Sequence, residues 1–497
     1  MNFTLQDIAG KIPQLRRQGG QQDNPLILTL AHDSRKVEPG TLFVCIPGAT
    51  VDGHDFAEAA VRKGAVAVLA ERPLPVSLPV PVLLTPDVRK ALEVISAWFF
   101  GEPARQLRMI GVTGTNGKTT TTHIIRDIFN RAGLPCGVIG TLHTLIGDQV
   151  IPVKNTTPDV LDLQSSLAAM VAGGMSAVAM EVSSHALALG RVTGCEFDTA
   201  VFTNMTQDHL DFHGDLTAYR DAKANLFRLL DATDALKPNK NAIVNIDDPA
   251  GRFMLEQTLA RPVTYGIEQA ADLQAVDIGI RPEGCRFRVV GKFGEFVVQS
   301  RLTGRFNVYN LLAAIGVALA EGISVADIQA ALASFSNVPG RFERVEIDKP
   351  FSVIVDYAHT PDGLENVLRT AKQFVTGRLI AVFGCGGDRD RTKRPIMGEL
   401  ATRYADRVIV TSDNPRSENP DFIIGQIMAG IVTPEAQRRT ETIADRRQAI
   451  QRAMEIAEAG DVILVAGKGH ENYQILADRT IHFDDREVVQ ELAGGKS

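Results

Sequence analysis

At 497 residues, with 44% apolar and 22% charged side chains, the chain has the balance of a folded globular protein and lacks that of a disordered one. It exceeds one ordinary core and should divide into about three domains. A formal net charge of −7 gives no general attraction to nucleic acid or to an anionic membrane. No basic start leads into an apolar run and no stretch reaches membrane-spanning length without charge or turn signals, so a cytoplasmic protein without membrane insertion is expected. Cys45, Cys136, Cys195, Cys285 and Cys385 are far apart and odd in number, the pattern of buried thiols and not of a paired framework or a metal cluster.

Residues 1–104 read as a compact first α/β domain. Gly40–Ile46 and Val66–Ala70 are strand candidates, and Asp55–Lys63 has helical periodicity stopped at Gly64. Polar groups at Asp33-Ser34-Arg35 and in the turn Pro47–His54 flank the strand ends, where an oxygen-rich ligand and an ordinary solvated loop are equally good readings. The proline-interrupted run Glu71–Pro81 is a connector, and Glu102-Pro103-Ala104 is a candidate boundary.

The stretch Met109–Thr121 begins apolar, turns through Gly111, Gly114 and Gly117 and runs into helix-compatible residues. That order forms a phosphate cradle, in which Lys118 reaches terminal phosphates and Thr119 or Thr120 sits near a metal, with Thr115 and Asn116 in the turn. Val112 stands where the usual G-x-x-x-x-G-K-[ST] pattern has its first glycine. A helix over His123–Ala132, a short element at Cys136–Gly140, a helix over Leu161–Val171 and strands at Ala177–Glu181 and Thr199–Thr203 continue the alternation. An α/β core with a mostly parallel sheet follows, with ligands at the carboxyl ends of its strands.

Glu181 ends its strand and aims a carboxylate at the crevice fed by the phosphate loop, and Thr203–His213 is dense in metal and hydrogen-bonding groups, His209 among them. Magnesium keeps waters and substrate phosphates, so no all-protein cage is expected. Lys223, on a helix over Tyr219–Phe227, has three readings: a solvated lysine, a phosphate partner, or an amine converted into an anionic magnesium ligand. Periodicity does not choose among them.

Ala242–Asp247 and Val263–Gly266 are strand-like, and Leu273–Arg305 alternates as antiparallel strands. Asn307 and Asn310 lead into the apolar helix Leu311–Ala320, which they would cap or orient; Asn307 has a second reading as a reader of an adenine edge. Val338–Arg344 is the second boundary, and Arg341 there would clamp phosphate on closure. The domains expected are therefore 1–104, 105–340 and 341–497. In the last, strands at Ser352–Asp356, Leu379–Phe383, Asp406–Val410 and Val462–Ala466 each deliver a polar segment: Asp356 and His359, then Arg389, then Asp413 to Arg416, then Gly467 to Glu471. Four such endings make one substrate crevice of a second α/β domain.

With Thr113-Gly-Thr-Asn-Gly-Lys-Thr-Thr120, Asp356-Tyr-Ala-His-Thr-Pro361 and Asp413-Asn-Pro-Arg416 together, the full length resembles the ATP-dependent Mur ligases of bacterial peptidoglycan synthesis, whose own phosphate loop tolerates Val112. The resemblance implies a small first α/β domain, a central P-loop ATPase-like domain and a Rossmann-like last domain. It implies ATP and magnesium, the latter near Thr119, Glu181 and His209, nucleotide contacts from Gly114, Gly117, Lys118, Asn307 and Arg341, and an N-carboxylated Lys223. Asp356 and His359 are implied at the closed nucleotide interface. The implied nucleotide-sugar substrate is UDP-N-acetylmuramoyl-L-alanyl-D-glutamate, held by His32, Ser34, Asn155, Thr156, Thr157, Ser183 and Arg191. The implied acceptor is meso-2,6-diaminopimelate, with Arg389 and Arg416 on its distal carboxylate and Asp413, Asn414, Pro415, Gly467 and Glu471 around its amino-acid end. A monomer is expected.

Overall fold

A computed structural model describes residues 3–12, 14–18, 23–48, 51–208, 210–231, 237–281 and 283–494. The fold is built on three main sheets. In the first, the strands Arg16–Gln18, Val82–Leu84, Ala65–Ala70, Thr41–Val44 and Thr29–Ala31 lie side by side in that order. All are parallel except the first, which runs antiparallel on Val82–Leu84. Alternating buried residues of Thr41–Val44 and Ala65–Ala70 feed a core on each face, one closed by helix Val88–Phe99 and the other by helix Ala57–Arg62. Asp87 starts the longer helix by accepting a hydrogen bond from Lys90 N at 2.9 Å.

The second sheet has eleven strands. Its centre is parallel: Cys136–Ile139, Ala177–Glu181, Arg108–Thr113, Thr199–Phe202, Asn241–Asn245 and Arg261–Gly266, joined at the end by Leu273–Arg281. Leu273–Arg281, Gly284–Gly291 and Phe296–Ser300 pair antiparallel, as their alternation predicts. Arg108–Thr113, first of these strands in the chain, lies between Ala177–Glu181 and Thr199–Phe202. The strands that follow it therefore spread to both sides, and the crevice above its carboxyl end is the switch point where α/β sheets bind ligands. Helix Arg305–Ala320 is buried on nearly every side and packs with helix Lys118–Arg131 in one cluster.

The third sheet orders Glu343–Val345, Ser352–Asp356, Val462–Ala466, Leu379–Phe383, Arg407–Val410 and Thr440–Thr442. The last five are parallel, so Asp356, Gly467, Gly384 and Thr411 emerge along one edge. All five cysteines are buried and free, and burial pushes every thiol up to about 12, which leaves them inert packing groups. Among the described residues no helix is long and apolar enough to cross a membrane.

One expectation is corrected here. Helix Arg305–Ala320 starts before Asn307, and its cap position is Gly304. Asn307 and Asn310 therefore lie inside the helix and do not cap it. Asn307 Nδ2 donates back to Thr303 O at 2.8 Å, and Asn310 Nδ2 donates to Asn307 Oδ1 at 3.0 Å. An asparagine near a helix start serves the interior equally well when its amide finds acceptors there.

Candidate active site

The phosphate loop is shaped by two glycines in conformations other residues avoid. Gly114 has φ +149° and Gly117 φ +87°. A Cβ on Gly114 would stand 1.9 Å from Thr203 Oγ1, and one on Gly117 2.3 Å from Asn310 Oδ1. The segment after Thr199–Phe202 holds the turn from outside: Asn116 N donates to Asn204 Oδ1 at 2.9 Å, Asn204 Nδ2 donates to Asn116 O at 3.1 Å, and Thr115 N donates to Asn204 O at 2.9 Å. The N–H groups opening helix Lys118–Arg131 are thereby turned toward the crevice, as an anion requires. Lys118 Nζ donates to Gly114 O at 2.9 Å and Thr115 O at 2.8 Å, folded onto its own loop. Desolvation is the largest influence on this amine and lowers its pKa, opposed by the Glu181 carboxylate.

Glu181 is 1% exposed. Its Oε2 accepts from Thr119 Oγ1 and Thr141 Oγ1, both at 3.1 Å, and its Oε1 accepts from Thr141 N at 2.8 Å. The hydroxyl of Thr119 also receives Arg341 Nη2 at 3.3 Å. An alcohol and a carboxylate side by side at a phosphate loop suit magnesium, which takes few protein ligands. Among the described residues no group of three or more His, Cys, Asp or Glu forms a metal cage. His209 lies outside the described residues.

Lys223 is corrected in one respect: it is 1% exposed and is no solvated helical lysine. Its Nζ stands 4.2 Å from the centre of the Tyr219 ring. Desolvation pushes its pKa well below the ordinary lysine range, Lys118 adds to the fall, and Asp208 and Asp248 oppose it.

A cavity of about 430 Å³ joins the second and third sheets. Asn116, Gly117 and Thr120 line one wall and Arg341, Asp356, Tyr357 and His359 the other, with Phe306, Tyr309 and Asn310 at one end. Asn307 is buried behind Asn310 and is not among the lining residues. Asp356 accepts from Phe342 N at 2.6 Å and Ala358 N at 2.7 Å, yet burial raises its pKa to about 6 against the pull of Arg341. Arg341 lies 4.9 Å from the Tyr357 ring centre, and its Nε is buried without an acceptor among the described residues. A buried donor of that kind suits an anionic ligand. Gly340, with φ +65°, carries the chain onto the third sheet's loops: a Cβ there would stand 2.0 Å from His470 N.

A larger cavity, about 1080 Å³, opens between the first and second sheets, with His32, Ser34 and Asn155 in its lining. Arg191 lies beside it with His32 in an adjoining cavity of about 270 Å³. Arg191 Nε is 3.0 Å from Asp159 Oδ1 and Arg191 Nη1 donates to Thr157 O at 3.3 Å. Thr157 Oγ1 in turn donates to Glu181 O at 2.9 Å and accepts from Ser183 N at 3.0 Å, while Thr141 Oγ1, whose own proton goes to Glu181, accepts from Thr156 Oγ1 at 3.1 Å. A continuous polar chain thus runs from this cavity to the carboxylate beside the phosphate loop.

On the third sheet, Asp413 and Asn414 follow strand Arg407–Val410, and Gly467 to Glu471 follow Val462–Ala466. A Cβ on Gly467, φ +120°, would stand 2.4 Å from Asp413 Oδ2. Asn414 Nδ2 donates to Glu471 Oε2 at 2.8 Å. Pro415 is buried, and Arg416, at φ +51°, donates Nη1 to Gly387 O at 2.8 Å. Arg389 is exposed. The two arginines flank Gly386, whose Cβ would lie 3.0 Å from Arg416 Nη1 and 3.7 Å from Arg389 Cγ. Two arginine side chains beside one glycine would suit a carboxylate.

Sequence reasoning missed the supports of these loops. Arg446 and Asp485, both with fully buried side chains, pair through two contacts of 2.7 Å. Arg446 also donates to Ser412 O at 3.4 Å and Ala466 O at 3.1 Å, tying together the strand ends that precede Asp413 and Gly467. Spacing carries no signal for this pair, since its members lie far apart in the chain.

Fold and site together define the class: an α/β enzyme with a phosphate loop and polar cavities beside it. Three family descriptions match in succession: "Mur ligase family, catalytic domain" over residues 27–99, "Mur ligase middle domain" over 112–318 and "Mur ligase, glutamate ligase domain" over 340–469. The UDP-N-acetylmuramoyl-L-alanyl-D-glutamate--2,6-diaminopimelate ligase of Geobacillus thermodenitrificans is 51% identical over 488 residues, 98% of each chain. The enzyme of the same name from Bacillus cereus is 48% identical over 96% of each chain. A solved structure of a ligase of that name superposes with a TM-score of 0.70 at 36% identity, covering 99% of both chains. The MurF ligase of Thermotoga maritima in complex with ADP, 21% identical over 94% of this chain and 96% of its own, shares the fold at a TM-score of 0.65. The chain belongs to the Mur ligase family and has its three-domain α/β fold.

Proposed function

We propose that this protein joins meso-2,6-diaminopimelate to the D-glutamate side-chain carboxylate of UDP-N-acetylmuramoyl-L-alanyl-D-glutamate, at the expense of ATP, in cytoplasmic peptidoglycan precursor synthesis. The observation that carries the reading is the polar chain from beside the large cavity through Thr156 and Thr141 to the Glu181 carboxylate and Thr119, met from the other side by Arg341. It supports a carboxylate delivered from one domain and a phosphate received in the next.

In this reading residues 1–104 hold the UDP end, 105–340 the nucleotide and 341–497 the acceptor. The carboxylate oxygen attacks the γ-phosphorus, the bond to the β,γ-bridging oxygen breaks, and ADP leaves an acyl phosphate. The acceptor amine then attacks the acyl carbon, loses a proton, and phosphate departs. Lys118, released from its loop carbonyls, the helix N-terminus and Arg341 neutralise the transferring group. Thr119, Glu181 and His209 would hold magnesium, which supplies further charge neutralisation when bound. Arg389 and Arg416 take the distal carboxylate of the acceptor, a group that L-lysine lacks.

Lys223 is proposed to carry an N-carboxyl group. Burial disfavours the ammonium form of this amine; the neutral nitrogen attacks carbon dioxide, a proton leaves, and the resulting carbamate presents an anionic oxygen donor. A carbamate resonance from 13C-labelled bicarbonate, absent in Lys223→Arg, is expected; its absence from the unaltered protein would remove this part. The function itself is tested by incubating the protein with Mg-ATP, the UDP-dipeptide and either diaminopimelate or L-lysine, and weighing the products. A UDP-tripeptide bearing diaminopimelate is expected. No ligated product with either amine would overturn the ligase, and efficient lysine product alone would overturn the acceptor.

A further inference from the structure

Lys468 belongs to none of the roles above, yet it lies at the centre of the acceptor loops. Its side chain is fully buried. Its Nζ donates to Glu471 Oε2 at 3.2 Å, to Asn414 Oδ1 at 3.4 Å and, more closely, to Tyr473 O. The amide of Asn414 has one sensible orientation in consequence. Its oxygen faces two donors, Lys468 Nζ and Ile475 N at 2.9 Å, so its nitrogen must face Glu471 Oε2, to which it donates at 2.8 Å. One oxygen of Glu471 is thus occupied twice, by an ammonium and an amide, and the carboxylate's plane is fixed.

The charges agree with the geometry. The ammonium and the amide both engage Glu471 Oε2, and a cationic amino group on a ligand needs such an oriented carboxylate. The attachment to Tyr473 O fixes the lysine to the strand Tyr473–Ile475, whose Ile475 N also holds Asn414. Two loops and a strand are therefore registered through one ammonium.

We infer that Lys468 is a positioning residue for the acceptor: it holds Asn414 and Glu471 in the orientation that receives the amino-acid end of an incoming diamino acid. The inference rests on the acceptor reading proposed above. Lys468→Met removes the charge and keeps the volume. The KM for diaminopimelate should rise by about tenfold to a hundredfold, as for lost hydrogen bonds to charged groups, while the KM values for ATP and UDP-dipeptide stay within about twofold and kcat at saturating acceptor is largely kept.

An equal rise in all three KM values, or a fall in kcat alone, would show a merely structural lysine and overturn the inference. So would an unchanged acceptor KM. Arg416→Lys run in parallel separates the two levels: if it too leaves the acceptor KM unchanged, the acceptor reading fails; if it raises that KM and Lys468→Met does not, only the role of Lys468 fails. Should Lys468→Met not fold, Lys468→Gln keeps a donor toward Tyr473 O and is read the same way; failure of both to fold counts as overturning, since the residue would then serve the fold.

Discussion

Lys118 in the phosphate loop donates to two carbonyls of its own turn, whereas Lys468 beneath the acceptor loops is committed to groups from three different positions of the last domain. The first lysine is parked: its partners are backbone acceptors of a loop already shaped by Gly114 and Gly117, and a phosphate can draw it away. The second is structural to its site. In the proposed function the phosphate meets main-chain N–H groups together with Lys118 and Arg341, whereas the acceptor meets side chains locked to one another. The difference follows from the ligands, since a phosphate is symmetric about its charge and an amino acid is not.

Lys118→Ala tests the parked lysine most severely. Activity measured as phosphate release should fall about a hundredfold to a thousandfold, the usual effect of deleting one transition-state donor, with the melting temperature nearly unchanged. A large loss of melting temperature would erase the contrast with Lys468. Asp356, in the nucleotide wall, gives the next effect. Burial holds its pKa at about 6 against an ordinary 3.8, so folding favours its protonated form. The stability this lends is whole below the ordinary value and is lost as pH rises through about 6. Asp356→Asn should gain on the unaltered, nucleotide-free protein by up to about 3 kcal/mol between about pH 4 and about pH 7.5, read by denaturant unfolding at each pH. A pH-independent difference would refute it. The smallest effect is expected of Arg416→Lys, which keeps charge and loses the planar fork. The preference for diaminopimelate over L-lysine, as a ratio of kcat/KM, should shrink by about tenfold; an unchanged ratio would move the discrimination to Arg389.

The same contrast explains what the sequence made legible. The strand, turn and helix around Lys118 are contiguous, so glycine spacing and apolar periodicity reveal them directly. The carboxyl-end placement of Glu181, Asp356, Asp413 and Gly467 also follows from strand order alone. Burial of Lys223 was not legible, because its helix face is settled by tertiary packing. Nor was the lining of the cavity between the second and third sheets, to which Phe306, Tyr309 and Asn310 contribute. Lys468 and the Arg446–Asp485 pair act across long chain separations, and no local pattern announces such partners.

Gly340 gives the molecule a mechanical property. Its backbone rests on the backbone of Gly469 and His470 with no room for a side chain, and its carbonyl is held by Tyr357 N at 3.0 Å. There is no soft material in that joint to absorb a displacement. The loop carrying Lys468 and Glu471 is thereby in direct backbone contact with the residue before Arg341, whose guanidinium reaches Thr119. In the proposed function the acceptor loop and the phosphate-facing arginine therefore meet at one joint, and it leaves no room for a methyl group at position 340.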